Sequence, residues 1–279
     1  MKTFIKNMLP LVFAAATLPS LAQLKLPQPS SGQTISQDLG LGKVNITYAR
    51  PNVKGRTVFG GLVPYGEVWR TGANSATTIE FTDNVSLAGH AVAPGTYGLF
   101  TIPGKSEWTI ILNKTAKQWG AYEYKKEDDV LRFTVKASTV SPAVETFTIQ
   151  FSDVKEKTAN MDICWDKTKV SVPLSTDIDV KVMANIEEAM KGEKKPYMQA
   201  AMYYYDNNKD MKKALEWVNE ADKANPKEFY IKYWKARILL KNGDKQGAIA
   251  TAQEGVQLAK DAKTDEYVRL NESVIAQAK

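Results

Sequence analysis

The sequence predicts an all-β sandwich domain followed by an all-α domain of repeated helix pairs. Three observations carry this. Apolar residues alternate with period two from about residue 36 to about residue 175, in short runs separated by turn residues. Near residue 182 the spacing becomes helical and Ala, Lys, Glu and Leu dominate. Beyond that point the chain repeats itself at an offset of 34 residues.

Residues 1–22 read as a cleavable secretory signal. Lys2 and Lys6 form a positive start, Met8–Leu18 an apolar stretch, and Ser20-Leu21-Ala22 supplies small residues before a cut. The apolar stretch is shorter than the roughly 20 residues a bilayer requires. Residue 23 is Gln where a lipid-anchored protein would carry Cys. No later stretch is long enough to span, so a soluble exported product is expected, periplasmic first and extracellular as the alternative. Residues 23–35 read as an extended leader, because Pro27, Pro29 and Gly32 disfavour regular structure.

The sandwich is expected over residues 36–178. Val44, Ile46 and Tyr48 alternate, as do Trp108, Ile110 and Leu112, then Leu131, Phe133 and Val135, Phe147, Ile149 and Phe151, and Val170, Val172 and Leu174. Each set places one strand face in a core and the other toward water. Asp83-Asn84, Ala88-Gly89-His90, Ala93-Pro94-Gly95 and Pro103-Gly104 are turn signals between runs. About nine or ten antiparallel strands are expected.

Residues 179–279 are expected to be helical. Asn208 and Asn242, Asp210 and Asp244, and Ala214 and Ala248 stand at the repeat offset, as do Tyr205 and Leu239, Val218 and Ala252, and Ala221 and Gly255. Small residues at i, i+4 and i+7 share a helix face that a neighbour can approach closely. Asn225-Pro226 ends one helix, and Thr264 is placed to cap a last one from about Asp265 to Gln277. This pattern resembles the tetratricopeptide repeat. Two units match, with a further helix near Val182–Lys191 expected to support them.

The formal net charge is +6, yet basic and acidic side chains are mixed along both halves, which disfavours nucleic-acid binding. Cys164 is the sole cysteine, so no internal disulfide can form. His90 is the sole histidine and reads as an exposed hairpin residue. A Ser–His–acid triad would have to use it, and no nucleophile-elbow motif accompanies it. Asp162, Cys164 and Asp166 share a strand face, expected to be solvated rather than metal-binding. No catalytic residue, metal or cofactor is expected.

The segment Arg50–Ile79, RPNVKGRTVFGGLVPYGEVWRTGANSATTI, is the densest in polar and aromatic residues. Arg50, Lys54, Arg56 and Arg70 face a single acid, Glu67, with Phe59, Tyr65, Trp69 and Asn74 among them. Guanidinium groups beside aromatic rings suit anionic or sugar-like ligands. The alternative is that the guanidiniums brace loops while Tyr65 and Trp69 fill the core. Together with Phe100-Thr-Ile-Pro-Gly104, Trp108-Thr-Ile-Ile-Leu-Asn113, Gln118-Trp-Gly-Ala-Tyr122 and Trp165-Asp-Lys-Thr168, this segment resembles the bacterial domain-of-unknown-function family 2911 over roughly residues 30–175. The resemblance implies an exported protein of a kind common in Bacteroidota, some of which continue into a helical repeat tail. It carries over no catalytic residues.

A non-catalytic binding or scaffold protein is therefore expected. Arg50, Arg56, Tyr65, Trp69, Arg70 and Asn74 would face a glycan or envelope polymer. The repeats would offer Tyr203, Tyr204, Tyr205, Tyr233 and Trp234 to a protein or peptide partner, or pack them against the sandwich. The rival expectation is a hydrolase acting on envelope carbohydrate or peptide through paired carboxylates.

Overall fold

Period-two alternation becomes strand and helical spacing becomes helix in the computed structural model, which describes residues 26–279. The expected signal segment 1–22 and the first residues of the expected leader lie outside the described residues. The chain divides after Thr176 into two compact units.

In the first unit, nine strands form one antiparallel sheet: β1 (Ser31–Leu39), β2 (Gly42–Arg50), β3 (Thr77–Phe81), β4 (Val85–Leu87), β5 (His90–Val92), β6 (Gly95–Pro103), β7 (Glu107–Asn113), β8 (Asp129–Ser152) and β9 (Thr158–Ser175). Their order is β1-β2-β3-β6-β7-β8-β9-β4-β5. Each turn signal read in the sequence falls at a junction between two of them, with His90, Gly95 and Pro103 as strand ends. The leader is shorter than expected: residues 31–35 already belong to β1, where they pair with β2 from Ile46 to Arg50. Gly32 is tolerated because β1 lies at the sheet edge.

The sheet becomes a sandwich by turning a corner. The two runs Leu131–Val135 and Phe147–Phe151 are not separate strands but two arms of β8. The first arm pairs with β7 and the remainder with β9. The β8–β9 register shifts between Thr139 and Val144 and again before Thr148, and Asp166, opposite Val144, has φ of 52°. A straight strand would hold Asp162 and Ser171 about 30 Å apart, yet their side chains hydrogen-bond. The fold-over sets Phe147, Ile149, Met161, Ile163 and Trp165 in one core with Ile46, Ile79, Leu99, Ile110 and Leu112. The Tyr48 hydroxyl fastens the layers, accepting from the Ile149 amide at 3.0 Å, with Gln33 Oε1 at 2.7 Å and the Ile149 carbonyl at 2.9 Å as the two acceptors in reach of its single proton.

The corner also corrects the reading of Asp162 and Cys164 as a solvated face. Asp162 is fully buried and paired with Lys169 at 2.8 Å. Cys164 is buried as well, and burial followed by the nearby Asp162 charge pushes its thiol up.

The second unit holds α1 (Asp179–Ala189), α2 (Tyr197–Asp206), α3 (Met211–Ala224), α4 (Phe229–Lys241), α5 (Lys245–Asp261) and α6 (Asp265–Ala278). The repeat offset has a local cause. Asp210 caps α3 by accepting from the amides of Lys212 and Lys213, and Asp244 caps α5 by accepting from Gly247. Ala214, Ala248, Val218 and Ala252 are all wholly buried. Gly255 marks the closest approach, since a Cβ there would lie 2.4 Å from Asn271 Oδ1 of α6. Thr264 does stand at the N-terminus of α6, but its hydroxyl donates to Ala262 O and caps no amide.

Candidate functional site

Residues 51–76 join β2 to β3 without a long strand, and this segment builds a cleft. Its path is pinned by short backbone pairings to the sandwich. Phe147 N donates to Pro51 O and Val53 N to Glu145 O, while Trp69 exchanges two hydrogen bonds with Thr101. Gly72, at φ 149°, packs so closely that a Cβ would stand 2.8 Å from Ala49 O. Thr71, buried and β-branched, sits at φ 55°, a conformation that costs about 1–3 kcal/mol. Its neighbours hold it there. Its carbonyl accepts from Thr77 Oγ1 at 2.6 Å, and its hydroxyl lies 3.1 Å from that of Thr101. The strained residue directly follows Arg70.

The cavity has a volume of about 410 Å³, within the range of small-ligand sites. Its inner wall is the edge of an aromatic cluster in which Trp69 stacks on Trp165 at 5.9 Å. Pro29, Pro51, Leu62, Val63 and Pro64 add apolar surface. Lys54, Arg56 and Arg70 supply positive charge, and Glu67 is the one carboxylate among the described residues that line it.

The six residues expected to bind a ligand separate here. Arg56, Trp69 and Arg70 line the cavity; Arg50, Tyr65 and Asn74 do not. Arg50 instead braces the sandwich, donating through Nε to Phe147 O at 3.1 Å and through Nη2 to Thr148 Oγ1 at 2.9 Å. Asn74 donates to Ser30 O, and the Tyr65 ring covers the Gly60 backbone. Within the cavity, Arg56 is partly used by its own loop, donating to Val53 O and Asn52 O. Trp69 is buried and donates from Nε1 to Gly72 O at 3.0 Å, so it serves both core and cleft. Arg70 alone is uncommitted. Its Nε is buried and meets no hydrogen-bond partner among the described residues.

The tyrosines of the second unit separate likewise. Tyr203 donates to Asp179 Oδ1 at 2.8 Å, and Tyr204 is buried with its ring edge-on to Trp217 at 4.7 Å. Tyr204 thus packs within the helical core, and Tyr203 is half-buried against it. Tyr205, Tyr233 and Trp234 instead gather around Arg237. The sequence reading missed Arg237, although helical spacing sets it three and four residues after Trp234 and Tyr233. His90 is exposed and lies over the Phe133 ring at 5.3 Å, in keeping with a hairpin residue.

A family model described as "Protein of unknown function (DUF2911)" matches residues 30–174, the sandwich together with the segment that builds the cleft. No curated protein and no solved structure matches the chain.

Proposed function

We propose, from the premise that this chain belongs to the DUF2911 family, that it is a non-catalytic binding protein whose sandwich cleft takes an anionic ligand. The observation that carries the reading is the unpartnered Nε of Arg70, buried beside Lys54 and Arg56. Burying a donor without an acceptor costs about 1–3 kcal/mol. A carboxylate or phosphate group would relieve that cost through charge-assisted hydrogen bonds. The Trp69 edge and the surrounding prolines would take the apolar face of a sugar or a short chain.

Hydrolysis through two carboxylates is less well supported. Such sites hold the pair about 5–10 Å apart across the substrate, and Glu67 stands alone among the described lining residues. An anionic glycan or envelope polymer is the ligand we favour. The N-terminal pattern of Lys2, Lys6 and Met8–Leu18 supports export to the periplasm of a bacterium, with the extracellular space as the alternative. The capping aspartates and small-residue faces at equal offsets support a tetratricopeptide-like tail that engages a protein or peptide.

The test is an array of acidic and neutral glycans, with an envelope-fraction pull-down, probed with the wild type and an Arg70→Gln variant. Acidic sugars should bind the wild type and lose about tenfold or more in affinity on substitution. Equal ligands and affinities for both proteins would show the cleft reading to be wrong.

A further inference from the structure

The second unit contains an arginine packed among aromatic rings, its donors without an acceptor among the described residues. The Arg237 guanidinium lies 4.3 Å from the Trp234 ring centre, 4.4 Å from Tyr205 and 5.3 Å from Tyr233. Contact of this kind is not an ion pair, and the guanidinium carries five N–H donors in its plane. No ion pair or hydrogen bond engages those donors among the described residues. Lys241 sits beside it, 4.3 Å from the Tyr205 ring, and donates only to neutral acceptors, Tyr205 O and Asn208 Oδ1.

Arg237, Lys241, Tyr205 and Tyr233 line a groove of about 350 Å³ formed by α2, α4 and α6. Leu240, Leu270 and Val274 supply its apolar surface, and no carboxylate is among the described residues that line it. Two cations, one caged by rings that fix its orientation, thus stand next to an apolar strip. A fixed planar cation suits a planar carboxylate, bound through two parallel hydrogen bonds.

We propose that this groove binds an acidic peptide segment, with an Asp or Glu carboxylate on Arg237 and a neighbouring apolar side chain against Leu270 and Val274. Alternation suits the site, because a charged residue and an apolar one must be presented within one short stretch. Tyr205, Tyr233 and Trp234 then act mainly by holding Arg237 in place. The inference rests on the reading of the helical unit as one that engages a protein or peptide, and it does not depend on the ligand of the sandwich cleft.

The probe is a fluorescein-labelled peptide of alternating Glu and Leu, with a Gln-for-Glu counterpart, followed by polarisation on the full chain without its signal segment. The Glu peptide should bind the wild type, weaken with added salt, and lose about tenfold or more on Arg237→Gln. Arg237→Lys keeps the charge and loses the fork, so it should fall between them. Arg70→Gln should bind the peptide as the wild type does, which separates this proposal from the cleft reading. No binding of the Glu peptide, equal binding of the Gln peptide, or an unchanged affinity in a folded Arg237→Gln variant would each overturn it. So would capture of an acidic oligosaccharide, in place of the peptide, through Arg237.

Discussion

Arg50 and Arg70 are the same side chain put to opposite uses, and their removal should be felt differently. Arg50 is committed to the Phe147 carbonyl and the Thr148 hydroxyl. Replacing it with Gln should destabilise the sandwich by about 1.5–3 kcal/mol, the usual worth of hydrogen bonds from a charged donor. Arg70 carries a buried N–H with no acceptor among the described residues, so Arg70→Gln should leave the ligand-free protein as stable or slightly more stable. Urea unfolding of the two variants checks this. A loss above about 1 kcal/mol for Arg70→Gln would mean that Arg70 is a structural brace. The sequence marked both arginines within one dense segment and could not separate them. What separates them is contact with β8, nearly a hundred positions along the chain, and no local pattern encodes that pairing. Trp69 was ambiguous for a different reason: it packs in the core with one edge and borders the cleft with another.

Elements were legible where their cause is local. The helix pairs of the second unit follow from caps and small residues at fixed offsets, and Gly255 shows why one position admits nothing larger. The corner in β8 and β9 was hidden, because alternation continues on both arms; two register shifts and the positive φ of Asp166 lie at the turn. The α3–α4 pair adds a feature that composition does not reveal. Asp222 of α3 meets Lys232 and Lys235 of α4, each at 2.8 Å, and Lys232 is 5 % exposed. Burial pushes the Asp222 carboxyl up, but hydrogen bonds from Lys232 and Lys235 outweigh it and hold the pKa below its ordinary 3.8. Burial likewise pulls the Lys232 ammonium down, yet its bonds to Asp222 and Glu254 leave it above its ordinary 10.5. A lowered carboxyl stabilises fully above its unfolded pKa and loses that contribution as pH falls through the folded one. A raised ammonium stabilises fully below its unfolded pKa and loses it as pH rises through the folded one. Asp222→Asn should therefore cost about 3 kcal/mol near neutrality. The gap from wild type should stay level between roughly pH 5 and pH 9 and narrow below about pH 4. Urea titrations across that range measure it, and a gap that widened in acid would contradict the ion-pair account.

At the scale of the whole molecule, each unit draws its principal core from its own residues. The sandwich core runs from Leu39 to Leu174, and the main helical core from Met198 to Ile238. Two cores built separately are expected to melt separately, so calorimetry should resolve two transitions. Each can be assigned by a substitution inside one core. Tyr48→Phe removes the hydroxyl that accepts from the buried Ile149 amide, leaving that amide unpaired at a cost of about 1–3 kcal/mol. That should lower one melting temperature by about 2–10 °C for a domain of this size and leave the other in place. Asp222→Asn should do the reverse, moving the helical transition and sparing the sandwich. The assignment also gives the two binding proposals a common control. A ligand of the Arg70 cleft should raise only the transition that Tyr48→Phe lowers, and an acidic peptide on Arg237 only the other, since a ligand stabilises the unit that holds it. If both substitutions moved a single shared transition, the units would unfold as one, and neither proposal could be tested by melting alone.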